Sequence, residues 1–183
     1  MPRQIKFNRK FPEKHISEGE PTYFVEKILN SLGIDYRDAD KIISHLCVLN
    51  TKALMKGKLN FDIISKFIKS LNPGITDCKN HTIRDSKIYK EGDTISLAVW
   101  SDKAYRSSPI IFAETKIEKV VPITIVTNDK HIFVKDTTFY DESYSNYMLP
   151  ALSKNDGLTP EQFKSWFKEP FIGNIIMWKE VNY

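Results

Sequence analysis

The stretch Gly92-Asp93-Thr94-Ile95-Ser96-Leu97-Ala98-Val99-Trp100 sets the reading of this chain. Gly92-Asp93 is a turn signal. Ile95, Leu97 and Val99 then alternate with Ser96, Ala98 and Trp100, the period-two pattern of a strand. Downstream, Ile110 to Phe112, Lys116 to Val126 and Ile132 to Val134 read as further strands, with Asn128-Asp129 as the turn before the last. Pro122 has no N–H to give to a ladder, so it marks a strand break or an edge. Short strands separated by turns from about Lys79 to Lys135 predict a small β-barrel, because closure removes the sheet edges.

Upstream the pattern is helical. Ile5 to Asn8 is a short strand candidate, followed by a turn-rich segment from Phe11-Pro12 to Gly19-Glu20-Pro21. Phe24, Ile28, Leu29 and Leu32 then fall on one helical face, and Gly33 stops it. Ile42, Ile43, Leu46 and Leu49 suggest a middle helix. Phe61, Ile64, Phe67, Ile68 and Leu71 make an apolar stripe that Asn60 caps and Asn72-Pro73-Gly74 ends. At the other end, Asp136 to Tyr147 is acidic and Tyr-rich and reads as a loop. Asn155 to Leu158 is a turn, and Thr159-Pro160-Glu161-Gln162 carries a capping box with Pro in the first helical position. Phe163, Trp166 and Phe167 supply that helix's buried face, and Pro170 ends it. Ile175 to Trp178 is apolar on both faces, as a central strand is.

The chain has 183 residues, 41% hydrophobic and 27% charged, which describes one globular domain over residues 1–183 and excludes a disordered or collagen-like chain. No apolar run reaches the ~18 residues of a membrane span, so no membrane contact is expected. The first residues carry no apolar signal core, and Cys47 and Cys78 are too few for a disulfide framework; both fit a reduced, cytoplasmic setting. With 27 Lys plus Arg against 23 Asp plus Glu, the net charge is +4, which permits nucleic-acid binding without requiring it.

Chemistry concentrates in Lys79-Asn80-His81-Thr82-Ile83-Arg84-Asp85. On a strand, Thr82 and Arg84 share one face, and His81 and Ile83 take the other. Lys79 joins the Thr82 face only if the chain bends near Asn80. Burial, or the fixed charge of Arg84, depresses a lysine's pKa, and a neutral lysine can take the proton of a threonine hydroxyl.

Lys-x-x-Thr-x-Arg after a loop, followed by Gly92-Asp93 and an apolar strand, resembles the ASCH domain family of the PUA-like superfamily. Bacterial members of that family include a small amidohydrolase that deacetylates cytidine acetylated on its exocyclic amine. The resemblance covers the first strand and the region from Lys79 onward. It implies an α+β fold: a PUA-like small β-barrel with flanking helices, here with a helical insertion at about 29–72. It implies Lys79 as the base, Thr82 as the nucleophile and Asp156, three residues before Thr159, as the acid that orients the lysine or handles a proton. Arg84 would hold substrate or tune Lys79. No metal or other cofactor is implied. The chain departs from the family in carrying Asp77 where a glycine is usual, two residues before the lysine, and Asp156 where a glutamate is usual.

The same region supports a second expectation, an RNA-binding surface in which Lys79, Arg84, Lys87, Lys90, Lys103 and Arg106 meet phosphates while Tyr89, Trp100 and Tyr105 stack on bases. A third is a barrel used for protein contacts through the helical insertion. The partner expected is a nucleoside or RNA; a protein partner is not specified. His15 with Glu18 and Glu20 has no ligand spacing and reads as a turn, His45 near Cys47 reads as core, and His81 as packed under its strand. Cys78 beside Lys79 reads as inert without a placed base. Tyr140, Tyr144 and Tyr147 suit a lid, a partner surface or a plain loop. No phosphate loop, dinucleotide fingerprint or serine-hydrolase elbow is present.

Overall fold

The chain runs β1 (Arg3–Lys6), α1 (Phe24–Ser31), α2 (Ala39–Met55), α3 (Phe61–Lys69), β2 (His81–Arg84), β3 (Thr94–Trp100), β4 (Pro109–Lys116), β5 (Lys119–Ile125), β6 (Ile132–Val134), α4 (Glu142–Asn155), α5 (Pro160–Trp166) and β7 (Phe171–Met177). The structure, a computed structural model, describes residues 2–126, 132–134 and 142–181. Among these, five helices accompany two small sheets, so the class is α+β. The predicted turn at Asn128-Asp129 and the residue Tyr140 lie outside the described residues, as do the side chains of Tyr144 and Tyr147.

The first sheet has the order β1-β3-β4, with β1 parallel to β3 and β4 antiparallel to it. The second has the order β2-β7-β5-β6, all antiparallel. Both faces of β3 are buried rather than one, because Ala98 is small and the Ser96 hydroxyl is satisfied by Glu114 Oε1 of β4 at 2.8 Å. The single strand read from Lys116 to Val126 divides where the chain changes sheets. Ile117 exchanges backbone bonds with the turn that leads into β3 (Gly92 N–H to Ile117 O, 2.8 Å; Ile117 N–H to Asp93 O, 2.9 Å), and Glu118 N–H turns to Met177 O of β7 at 2.8 Å. Pro122 stays within β5, and the register with β6 runs from Ile123, one residue after it.

Neither sheet closes on itself among the described strands. The edges of β1 and β2 are bridged by a side chain: Arg84 Nη2 donates to Lys6 O at 2.9 Å. The other outer strand of the first sheet, β4, is covered by α2. The Asn50 amide bonds both the N–H and the C=O of Ile111, at 3.0 and 2.8 Å, and His45 Nε2 lies 3.0 Å from Phe112 O. Covering an edge in this way removes a template for unwanted strand pairing.

Local signals set the helix ends. Asn60 caps α3 through Ile63 N–H at 2.9 Å, and Thr159 and Gln162 form the capping box of α5. The α3 stripe is narrower than read: Ile64, Phe67 and Leu71 are buried, while Phe61, at the first helical position, is exposed. The segment read as a loop to Tyr147 is helical from Glu142 onward, and α4 holds Pro150 inside it. The Ser153 hydroxyl donates to the Pro150 and Leu149 carbonyls at 3.1 and 2.7 Å. Strand β7 is central as expected, with Ile175, Ile176 and Met177 at 0–1% exposure.

Candidate functional site

Lys79 stands in the coil before β2, fixed by elements from three parts of the chain. Its N–H donates to Lys27 O of α1 at 3.0 Å, and its carbonyl accepts Trp178 Nε1–H, just past β7, at 3.0 Å. The neighbouring Asn80 is held by both groups of Asn155 at the end of α4 (N–H to O, 2.8 Å; Nδ2 to Oδ1, 2.7 Å) and accepts from Ser31 Oγ at 2.7 Å. With its backbone held this way, the lysine side chain runs inward and is 1% exposed.

The ammonium of Lys79 ion-pairs with Asp156 Oδ1 and also donates to the Asp156 carbonyl. It lies 4.4 Å from the Phe24 ring centre and 5.9 Å from that of Phe7, whose ring also faces the Arg84 guanidinium at 5.4 Å. Lys79 and Arg84 therefore meet at the same ring. Thr82 is 5% exposed, pairs in register with Ile176, and by alternation shares its face with Arg84. Lys79, Arg84 and Asp156 thus come together, with Thr82 between the two cations along the chain.

Burial dominates the electrostatics. Desolvation pulls Lys79 down to about 8, against the attraction of Asp156, and the charges of Arg84 and Lys27 act in the same direction as burial. Desolvation pushes Asp156 upward against the pull of Lys79, Arg84 and Lys27. A base lowered and an acid raised at one contact mark the pair as a candidate for proton-transfer chemistry. His81 is fully buried; burial first and the Lys79 charge second hold it well below the ordinary histidine range. Asp77, the departure beside the lysine, is exposed and raises Lys27; it is not among the groups that shift Lys79.

The remaining expected residues sit elsewhere. Trp100 closes β3 and lines a cavity of about 770 Å³ that Phe7 and Phe24 also line. Lys6 Nζ lies 4.7 Å from the Trp100 ring centre, and Tyr105 packs on the ring at 5.3 Å. Lys103, Tyr105 and Arg106 occupy the exposed tip between β3 and β4, where Tyr105 is 89% exposed with φ +62°. The two phenylalanine rings are a shared wall: they face the cavity and the Lys79 ammonium.

The sequence did not single out Phe7, Phe24, Lys27, Gly157 or Trp178 as site residues. Gly157 was legible only as part of a turn. It has φ +75°, and a Cβ there would stand 3.2 Å from Lys79 Cβ and 3.3 Å from Lys27 Cδ. Gly157→Ala is expected to destabilise the fold by about 1–2 kcal/mol through the left-handed backbone alone. A denaturant titration showing no loss would contradict this placement.

His15 is structural: it stacks on Phe11 at 4.4 Å and its Nε2 meets Gln162 O at 2.9 Å. Among the described residues, no group of three His, Cys, Asp or Glu could hold a metal ion, and no helix is long and apolar enough to cross a membrane. In comparisons with family models, curated proteins and solved structures, the chain matches none.

Proposed function

We propose that this chain is an ASCH-like, PUA-related domain that recognises a nucleoside or RNA and hydrolyses an acyl amide on a cytidine-type base. The observation that carries the reading is the buried Lys79–Asp156 pair, whose two pKa shifts converge toward neutrality. Neutral Lys79 takes the proton of the Thr82 hydroxyl as its oxygen attacks the acyl carbonyl carbon. The C–N bond then breaks, and the exocyclic amine leaves with the proton returned by Lys79. Lys79 then deprotonates a water that attacks the ester carbonyl carbon; the bond from that carbon to the Thr82 oxygen breaks, Lys79 returns the proton to the Thr82 oxygen, and the acyl group leaves as the carboxylic acid. Asp156 holds and orients the lysine, and Arg84 faces the developing negative charge. With Lys79 1% exposed, the acyl group reaches the pair only as the surrounding chain parts, so turnover includes an opening step.

The base must be neutral, so kcat on acetylated cytidine is expected to rise with pH through about 8 and level off above it. The sign follows from the lowered lysine: protonated below that value it cannot accept, deprotonated above it can. A rate that falls across this range would contradict Lys79 as base.

A non-catalytic RNA-binding reading has its own observation, the outward Tyr105 ring flanked by Lys103 and Arg106 beside the Trp100 cavity. It expects oligoribonucleotide affinity to fall steeply with salt, by roughly tenfold or more between 50 and 200 mM for several phosphate contacts. Tyr105→Ala should weaken binding by about 1–3 kcal/mol. Anisotropy titrations that show salt-independent affinity would dismiss it.

A further inference from the structure

Two lysines hold consecutive carbonyls where α4 ends. Lys79 Nζ donates to Asp156 O, and Lys27 Nζ donates to the next carbonyl, Gly157 O, at 2.7 Å. This turn is a left-handed helix stop: Gly157 has φ +75°, and Leu158 N–H returns to Ser153 O at 2.9 Å. The two carbonyls lie just past Asn155, the last residue of α4, at the negative end of that helix's dipole, where cations are favourable. The clamp is also tied across, since Lys27 O takes the Lys79 N–H at 3.0 Å. The missing Cβ of Gly157 is what lets the aliphatic parts of both lysines close on the turn.

We infer that Lys27 is a positioning residue for the Lys79–Asp156 pair. By holding Gly157 O it fixes the turn that carries Asp156, and so seats the carboxylate on the Lys79 ammonium. This rests on the proposed function only for its effect on turnover; the pairing itself is read without it. The charged groups acting on Lys27 are Asp77, Glu26 and Asp156. Those acting on Lys79 are Asp156, Arg84 and Lys27, with His81 nearby on β2.

The test is an NMR titration of Lys79 Cε in protein carrying ¹³C-labelled lysine, the signal assigned by its loss in Lys79→Arg. The wild type should titrate near 8. In Lys27→Met the turn is released, Asp156 withdraws its pull, and the midpoint should drop by about one pH unit. Lys27→Gln restores a donor to Gly157 O and should stay within about half a unit of wild type. Loss of a neighbouring cation alone predicts the opposite direction for Met, a rise. A folded Lys27→Met whose midpoint is unchanged or raised overturns the inference. So does a Lys27→Gln midpoint that drops by about one unit or more. Should Lys27→Met not fold, Lys27→Gln decides on its own: a retained midpoint supports the inference and that drop overturns it. Absence of acyl-cytidine hydrolysis in the wild type would remove the proposed activity and leave this titration fully informative.

Discussion

Asp156→Ala is expected to cost the fold about 3–5 kcal/mol, because it leaves a buried ammonium with no counter-charge. Among the described residues the other charges that act on Lys79, Arg84 and Lys27, are both positive and cannot replace the carboxylate. The loss should depend on pH in a defined direction. Lys79 is lowered in the folded state, so between its folded pKa and the ordinary 10.5 the unfolded chain binds more protons, and stability rises with pH. Without Asp156 the folded pKa falls further, since the carboxylate's contributions raise it. The penalty is therefore full at pH values below the variant's folded pKa, shrinks as pH rises toward about 8, and is gone once the lysine is neutral in both folded proteins. Denaturant titrations at pH 6 and 9 read both claims. A loss below about 1 kcal/mol at pH 6 would mean that the pair contributes little to the fold.

Lys79→Met is the complementary experiment, with a large loss expected in activity and a small one in stability. The methionine puts an apolar end beside the Phe7 and Phe24 rings, where the lysine ammonium now lies. The carboxylate left behind can neutralise by protonation, toward which burial already pushes it. Removing the base should lower turnover by about 10²–10⁴-fold. A variant that unfolds would instead mark the pair as chiefly structural, and the double variant Lys79→Met/Asp156→Leu would then recover the stability.

Much of the fold follows from short-range physics and was legible in the sequence. Asn60 and Thr159 cap the helices they were expected to cap, and Ile175 to Met177 form the central strand that their two-sided apolar pattern implied. What was not legible depends on long-range pairing. The change of sheets at Ile117-Glu118 leaves no mark in the alternation, because both residues simply continue an extended chain. Asn50 and His45 looked like ordinary helix residues until β4 supplied the backbone groups they satisfy. The Tyr- and Ser-rich start of α4 has weak helix propensity and no clean apolar stripe, so it read as loop.

The candidate site divides the same way. Lys79, Thr82, Arg84 and Asp156 were named as candidates from motif and resemblance. Lys27, Phe7 and Phe24 were not, because their part in the site lies only in what they touch across 52, 72 and 55 residues of chain to Lys79. Trp100, Lys103, Tyr105 and Arg106, grouped with the strand motif in the sequence reading, lie at the end of β3 and on the tip that follows it.

The most direct test of the central claim is a chromatographic turnover assay on N4-acetylcytidine and related acyl-cytidines, with wild type and Lys79→Met measured side by side at pH 8.5. The account predicts cytidine released by the wild type and at least about a hundredfold less by the folded variant. Equal release by both, or none by the wild type from any of these substrates, would contradict it.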